Sequence, residues 1–176
     1  MIRKATAQDI QAVADIYSAI HDREEKGLAT TGWLRDVYPV RQTALDALER
    51  SDLFIAEEDG RVVASAIINQ IQPKEYAEEG WENDAPDEKV MVLHTLVVDP
   101  AESGHGWGSK FVSFYEEYAA SRGCHYLRMD TNERNIRARR LYAGLGYREA
   151  GGVPCDFNGI PGVILLRLEK KLPEGK

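Results

Sequence analysis

Residues 96–110 read LVVDPAESGHGWGSK, and the interpretation of the whole chain depends on this stretch. It begins as a β-prone run, breaks at Pro100, and places Gly104, Gly106 and Gly108 just before an amphipathic helix. Alternate glycines let the backbone turn tightly and approach a ligand closely. The helix start adds unpaired N–H groups and a partial positive charge. The pattern therefore predicts a pyrophosphate cradle, although alternate glycines alone are equally typical of a flexible loop cap.

Two other nucleotide-binding loops compete with this interpretation. A P-loop is excluded because the spacing GxxxxGK[ST] does not occur. A dinucleotide-binding oxidoreductase stays open, because Asp130 ends the next predicted strand about where an acid meets a ribose. Its fingerprint, however, is GxGxxG directly after the strand, whereas here residues 99–103 intervene and the spacing is GxGxG.

Hydrophobic periodicity predicts strands and helices along the rest of the chain. Strands are predicted at 1–4, 53–57, 61–68, 90–98, 125–130 and 163–168. Four helices are predicted: one at 6–20, one that starts at Thr43, one that follows the glycine-rich loop and ends at about Ser121, and one at 135–145. Thr6 and Asp9 resemble a capping box, and Asp59-Gly60 suits a hairpin turn. Since no linker interrupts this order, we predict one α/β domain (α+β in some schemes) over residues 1–176, with a mixed sheet flanked by helices.

Composition is that of an ordinary cytoplasmic protein. The chain has 176 residues, of which 43% are hydrophobic and 29% charged. It shows no apolar signal core and no run that could span a bilayer, so we expect a cytoplasmic protein without a membrane partner. The net charge of −7 argues against nucleic-acid binding through a basic surface. Cys124 and Cys155 have no metal-ligand spacing, and no metal is expected.

A second motif, NIRARRLYAGLGY at 135–147, falls on the predicted last helix. Together the two stretches resemble the ordered motifs of GNAT N-acetyltransferases, V-x-P-x-x-R/Q-G-x-G-x-G and N-x-x-A-x-x-L-Y-x-x-x-G-F/Y. The order of elements agrees across nearly the whole chain. One departure is Ser103, which stands where the family usually has Arg or Gln. The resemblance implies an N-acetyltransferase that uses acetyl-CoA, with a GNAT-like sheet splayed open between the strands of Leu96 and Asp130.

The resemblance also implies which residues hold acetyl-CoA. The backbone of the first motif would pair with the pantetheine arm, the glycine loop would hold the pyrophosphate, and the last helix would contact the arm and the sulfur. These residues are Leu96, Val97 and Val98 for the arm, then Ser103, Gly104, His105, Gly106, Trp107, Gly108 and Ser109 for the phosphates, and finally Asn135 and Tyr142.

Three side chains are candidates for the chemistry that the resemblance implies. Tyr142 would protonate the departing CoA thiolate, and a backbone N–H near Leu96 would polarise the thioester carbonyl. A base is needed because an amine is mostly protonated at neutral pH. His94, which matches the position of a histidine in arylalkylamine N-acetyltransferases, is the first candidate for this base. Asp130, which lies near an acid of some peptide N-terminal acetyltransferases, is the second. A water relay, a satisfied sheet histidine and a turn-capping aspartate stay open.

The acceptor is predicted to be a primary amine of a small molecule, attacked directly. Its pocket would come from residues 17–38, 74–89 and 156–161. The segment 74–89 combines acids with Tyr76 and Trp81, which suits a cationic amine, although a solvated loop remote from the cleft is an equal alternative. A protein or peptide acceptor, a catalytically silent acetyl-CoA-binding module and a homodimer are left open.

Overall fold

The structure is a computed structural model, and it describes residues 1–174. In this range the elements follow one another as β1 Ile2–Lys4, α1 Ile10–Glu25, α2 Arg41–Glu49, β2 Leu53–Glu58, β3 Arg61–Asn69, β4 Val90–Val98, α3 Trp107–Ser121, β5 Tyr126–Asn132, α4 Ile136–Gly144, β6 Arg148–Phe157 and β7 Ile160–Lys171. The predicted domain end at residue 176 lies outside the described residues.

All seven strands belong to one mixed sheet with the order β1-β2-β3-β4-β5-β7-β6. Neighbouring strands are antiparallel except for β4 and β5, which are parallel. A mixed sheet flanked by helices was expected from the sequence and is confirmed. A dinucleotide-binding fold needs a mostly parallel, doubly wound sheet, so that alternative interpretation is wrong.

The two parallel strands separate halfway along their length. Their pairing ends at Leu93 opposite Met129. Beyond this point β4 continues to Val98 paired with β3, and β5 continues through Asp130 paired with β7. A V-shaped opening therefore lies between the strands of Leu96 and Asp130, as the sequence predicts.

A buried tyrosine of α3 marks the place where the strands begin to separate. The hydroxyl oxygen of Tyr115 lies 2.6 Å from the carbonyl oxygen of Met91 on β4 and 3.2 Å from that of Arg128 on β5. Burial raises the pKa of Tyr115 well above its ordinary value, so the hydroxyl remains a donor. It holds β4 and β5 together just before they diverge.

A β-bulge interrupts β4 beside the opening. The register with β3 passes from Ile67 opposite His94 to Ser65 opposite Val97, so β4 contains an extra residue here. Thr95 has a φ of 50°, which is strained for a β-branched side chain. A bulge takes backbone groups out of the regular ladder, and Thr95 and Leu96, which lie in it, line the opening.

Helices cover both faces of the sheet. The α3 side contains a buried cluster of Phe111, Val112, Tyr115, Met91 and Leu93. The opposite side is built from residues of α1 and α2 packed on β2, β3 and β4. None of the helices in the described part of the chain is long and apolar enough to cross a membrane.

Sequence patterns missed or shortened some elements. β6 was not predicted. Gly151, Gly152 and Pro154 are residues that strand interiors disfavour, yet a strand at the edge of a sheet tolerates them. β7 is longer than the predicted strand, and α2 begins at Arg41 rather than Thr43. The predicted cap is confirmed in part: Thr6 N–H donates to the Asp9 carboxylate at 2.7 Å, but the first turn is 3₁₀ and α1 starts at Ile10.

Candidate active site

A cavity of about 890 Å³ fills the opening between β4 and β5. The phosphate loop, residues 99–109, forms one end, and the segment 27–33 with the β6–β7 turn forms the other. The predicted residues that line this cavity are His94, Leu96, Val97, Val98, Ser103, Gly104, Gly106, Trp107, Gly108, Ser109, Asp130, Asn135 and Tyr142. Of the residues predicted to be catalytic or to hold acetyl-CoA, His105 alone does not line it.

The glycines of the phosphate loop have two different roles. Gly104 and Gly106 have φ values of 86° and 77°, in the left-handed region that favours glycine. Gly106 is the N-cap of α3, so the free N–H groups of the helix start face the loop. Gly108 has ordinary dihedrals, but a Cβ there would lie 3.1 Å from Cδ2 of Leu141. Its missing side chain lets α3 approach α4 closely at the base of the cavity.

His105 braces the phosphate loop from outside. Its Nδ1 lies 2.9 Å from Oε2 of Glu102, and Arg61 donates to the other oxygen of that carboxylate at 2.6 Å. The His105 and Arg61 contacts lower the pKa of Glu102, so the carboxylate stays ionised. The role of His105 as a phosphate donor stays a prediction.

Tyr142 and Asn135 bring α4 to the cavity. The Tyr142 side chain is 7% exposed, and burial together with the charge of Asp130 raises its pKa above the ordinary value. Its hydroxyl therefore keeps its proton at neutral pH. The side chain of Asn135 caps α4 by accepting from Ala138 N at 3.3 Å, so this residue has a structural role besides the predicted contact with the cofactor arm.

Asp130 is a half-buried carboxyl whose side-chain hydrogen bond in residues 1–174 comes from Tyr76. Burial raises the pKa of Asp130 to about 6, and the hydrogen bond from the Tyr76 hydroxyl to Oδ2, at 2.6 Å, acts in the opposite direction. The pKa of Tyr76 is raised well above its ordinary value, so Tyr76 is the donor. Asp130 is thus mostly ionised at neutral pH, yet it accepts a proton more readily than an exposed aspartate.

His94 is held in its neutral form. Burial lowers the pKa of His94 to about 4, and its Nε2 lies 2.8 Å from Oδ1 of Asn69. Since an amide oxygen only accepts, Nε2 carries the hydrogen and the lone pair is on Nδ1. Asn69 is itself oriented by donating to Asp52 at 2.9 Å.

His94 and Asp130 lie on the same face of the sheet. Val92 is paired with Arg128, so continuing this parallel register would bring His94 opposite Asp130. The strands diverge before that pair forms. The two candidate bases consequently flank the opening, one on each strand, on the face opposite to α3.

Side chains from distant segments complete the end of the cavity beside these bases. Tyr38 hydrogen bonds the side chain of Thr95 in the bulge, and burial raises the pKa of Tyr38 to about 12. Glu24 fixes the neighbouring loop by accepting from the backbone N–H groups of Thr31 and Gly32, at 3.0 and 2.9 Å. Segments 17–38 and 156–161 therefore line the cavity, as the sequence predicts.

The acidic segment 74–89 does not line the cavity. It packs over the outer part of the sheet, where the Trp81 ring lies 4.1 Å from the guanidinium of Arg128 and 5.0 Å from that of Arg167. The ring faces are thus occupied by cations of the protein itself. The expectation that this segment lines the acceptor pocket is wrong, and the segment contributes instead through the hydrogen bond from Tyr76 to Asp130.

A mixed sheet that opens beside a β-bulge, with a glycine loop on one wall of the opening and the buried Tyr142 on the other, is the arrangement expected of an acyltransferase that uses acyl-CoA. The model of the acetyltransferase (GNAT) family matches residues 12–147, and the chain belongs to this family as an acetyltransferase enzyme.

Similar proteins agree with this assignment. The chain is 25% identical to the uncharacterized N-acetyltransferase YhfO of Bacillus subtilis over 151 residues, 86% of this chain and 91% of that protein. A GNAT-family acetyltransferase structure from Streptococcus agalactiae has a TM-score of 0.81 at 24% identity, covering 98% and 95% of the two chains. The structure of YncA, a putative acetyltransferase of Salmonella typhimurium with its cofactor acetyl-CoA, has a TM-score of 0.70 at 20% identity, covering 99% and 95%.

Proposed function

We propose that this enzyme transfers the acetyl group of acetyl-CoA directly to a primary amine of a small molecule. The observation that carries the proposal is the meeting of three groups at one opening. These are the bulged backbone at Leu96, the buried hydroxyl of Tyr142 and the carboxyl of Asp130, and all three line the same cavity. Each supplies a different part of an acyl transfer.

The proposed reaction balances with these groups. Asp130 takes a proton from the bound ammonium, and the nitrogen lone pair then attacks the thioester carbon. The N–H at Leu96 stabilises the charge that develops on the carbonyl oxygen. The C–S bond breaks as the tetrahedral intermediate collapses, and the Tyr142 hydroxyl gives its proton to the departing sulfur. The second proton on the nitrogen passes to the Tyr142 oxygen, and the proton on Asp130 is released to solvent, so both side chains are restored.

Asp130 suits the base role better than His94. A pKa of about 6 combines an ionised carboxylate at neutral pH with a useful proton affinity, whereas a pKa of about 4 makes His94 a weak base. The acceptor would enter at the end of the cavity formed by segment 27–33 and the β6–β7 turn, here called the acceptor end. The fixed contact of His94 with Asn69 supports a positioning role in the wall of this acceptor end. His94 and a water relay remain the alternatives for the base.

The chemistry of the acceptor end supports an amine on an apolar body. Its lining includes Trp33, Tyr38, Phe157 and Ile160, and Asp130 is the one carboxyl there outside the phosphate loop, among residues 1–174. The cationic acceptor suggested by the sequence loses its support with the acidic segment. A protein or peptide terminus is the second candidate acceptor, because the cavity also reaches the exposed side chain of Leu28.

An assay of free-thiol release with acetyl-CoA tests the proposal over a panel of small apolar amines, polyamines and peptides with free N-termini. We expect turnover of apolar amines that is insensitive to salt. If only peptides are acetylated, the acceptor is a protein or peptide terminus and not a small-molecule amine. Calorimetric binding of acetyl-CoA without turnover of any amine would favour a silent binding module.

Three expectations from the sequence stay predictions beside this proposal. They are the single domain over residues 1–176, the cytoplasmic location and a homodimer as one candidate oligomeric state. Size-exclusion chromatography with light scattering measures the last of these directly.

A further inference from the structure

The phosphate loop of this chain directs none of its own cationic side chains into the cavity within the described residues. Position 103, where the family motif has Arg or Gln, is a serine. His105 is held by Glu102 on the outside of the loop. Lys110 lies over the ring of Trp107, 4.2 Å from its centroid. A pyrophosphate in this loop would meet backbone N–H groups but no cationic side chain of the loop itself.

A cation from the opposite wall reaches the same place. Arg137, the second residue of α4, lines the cavity together with Gly104 and Gly106. Its Nη2 donates to Oγ of Ser103 at 2.8 Å. The guanidinium therefore spans the cleft from α4 to the loop at the start of α3.

Arg137 has no carboxylate partner among residues 1–174. It lies in the first turn of α4 and reaches Ser103 in the loop that leads into α3, and both helix starts carry partial positive charge. Arg139, two residues on, is neutralised by Glu149 at 2.8 Å. The hydrogen bond of Arg137 in residues 1–174 goes to the neutral Ser103 instead. An anion bound between the two helix starts would supply the partner that Arg137 lacks.

We propose that Arg137 is the cation that binds the pyrophosphate of acetyl-CoA, replacing in space the side chain that position 103 usually supplies. Ser103 accepts from Arg137 and so orients it, while the serine O–H remains able to donate to a phosphate oxygen. This inference rests on the proposed function, because it requires acetyl-CoA in the cleft. It adds a residue that the sequence motifs do not mark.

Calorimetric titration with CoA tests the assignment. Arg137→Gln is expected to weaken binding by roughly 10- to 100-fold, the range for losing a charge-assisted hydrogen bond, and to reduce the salt dependence of the Kd. Arg140→Gln is the matched control, since Arg140 is exposed on the same helix and does not line the cavity. Adding Ser103→Arg to Arg137→Gln should restore affinity, because it returns a cation to the loop.

Dephospho-CoA, which lacks the 3′-phosphate but keeps the pyrophosphate, locates the contact. The loss caused by Arg137→Gln should persist with this ligand. Binding by Arg137→Gln within twofold of wild type, or a loss that disappears with dephospho-CoA, would overturn the inference. Failure of the wild-type protein to bind CoA at all would instead reject the proposed function, so the two failures are distinguishable.

Discussion

Asp130→Asn tests the base assignment because it keeps the shape of the side chain and removes its ability to take a proton. The amide oxygen can still accept the hydrogen bond from Tyr76. We expect kcat/KM to fall about 100-fold or more, because a positioned general base contributes roughly 10²- to 10⁴-fold. In the pH–rate profile, the acidic limb near pH 6 should disappear in this variant, while any limb caused by ionisation of the amine substrate remains.

The same substitution should stabilise the fold at neutral pH. Burial raises the pKa of Asp130 from 3.8 to about 6, and a shift of this size corresponds to about 3 kcal/mol. Because the native state binds this proton more tightly than the unfolded chain, the contribution is complete below about pH 4 and is lost as the pH rises through about 6. Asparagine does not ionise, so the variant avoids that loss.

The assay combines two measurements on wild type and Asp130→Asn. Thiol release gives kcat/KM against pH, and urea unfolding gives the free energy of unfolding near pH 4 and at neutral pH. The two proteins should have similar stabilities near pH 4 and differ by up to about 3 kcal/mol at neutral pH. Asp84→Asn, an exposed site outside the cavity, is the control. A variant that keeps near-normal activity and the limb near pH 6 would refute the base assignment.

Three further substitutions test the neighbouring groups. Tyr142→Phe should lower kcat by roughly ten- to a thousand-fold while calorimetry shows nearly unchanged affinity for acetyl-CoA; an equal loss of affinity would indicate a binding role instead. His94→Asn should leave the pH-rate limb near pH 6 in place, because the pKa of His94 is about 4, and a lost limb would make His94 the base. Tyr115→Phe should destabilise the protein by roughly 1–3 kcal/mol in urea unfolding and speed hydrogen exchange where β4 meets β5; unchanged exchange there would contradict its role in holding the strands.

Local patterns predicted the parts of the site that are contiguous in the chain. The dihedrals of Gly104 and Gly106, the helix start after them and the strand before them all follow from one short stretch. The splay between β4 and β5 came from the resemblance of two motifs rather than from periodicity, because hydrophobic patterns do not encode where two paired strands separate.

Contacts between distant segments could not be predicted. Tyr76 and Asp130 are 54 residues apart, and Ser103 and Arg137 are 34 apart. The pKa values of Asp130 and His94 depend on burial, which appears only when the sheet and its helices are assembled. Charge along the chain was misleading for the segment 74–89, since this segment does not line the cavity. Its Glu82 pairs with Arg148 at 3.4 Å, and its Trp81 ring meets Arg128.

A crystal structure of the enzyme with acetyl-CoA tests the central claim most directly. The pantetheine arm should run between the separated ends of β4 and β5, along Leu96–Val98. The thioester oxygen should lie within hydrogen-bond distance of the N–H at Leu96, and the sulfur should lie beside the Tyr142 hydroxyl. Acetyl-CoA bound outside this opening, or with its thioester remote from both Tyr142 and Asp130, would contradict the account.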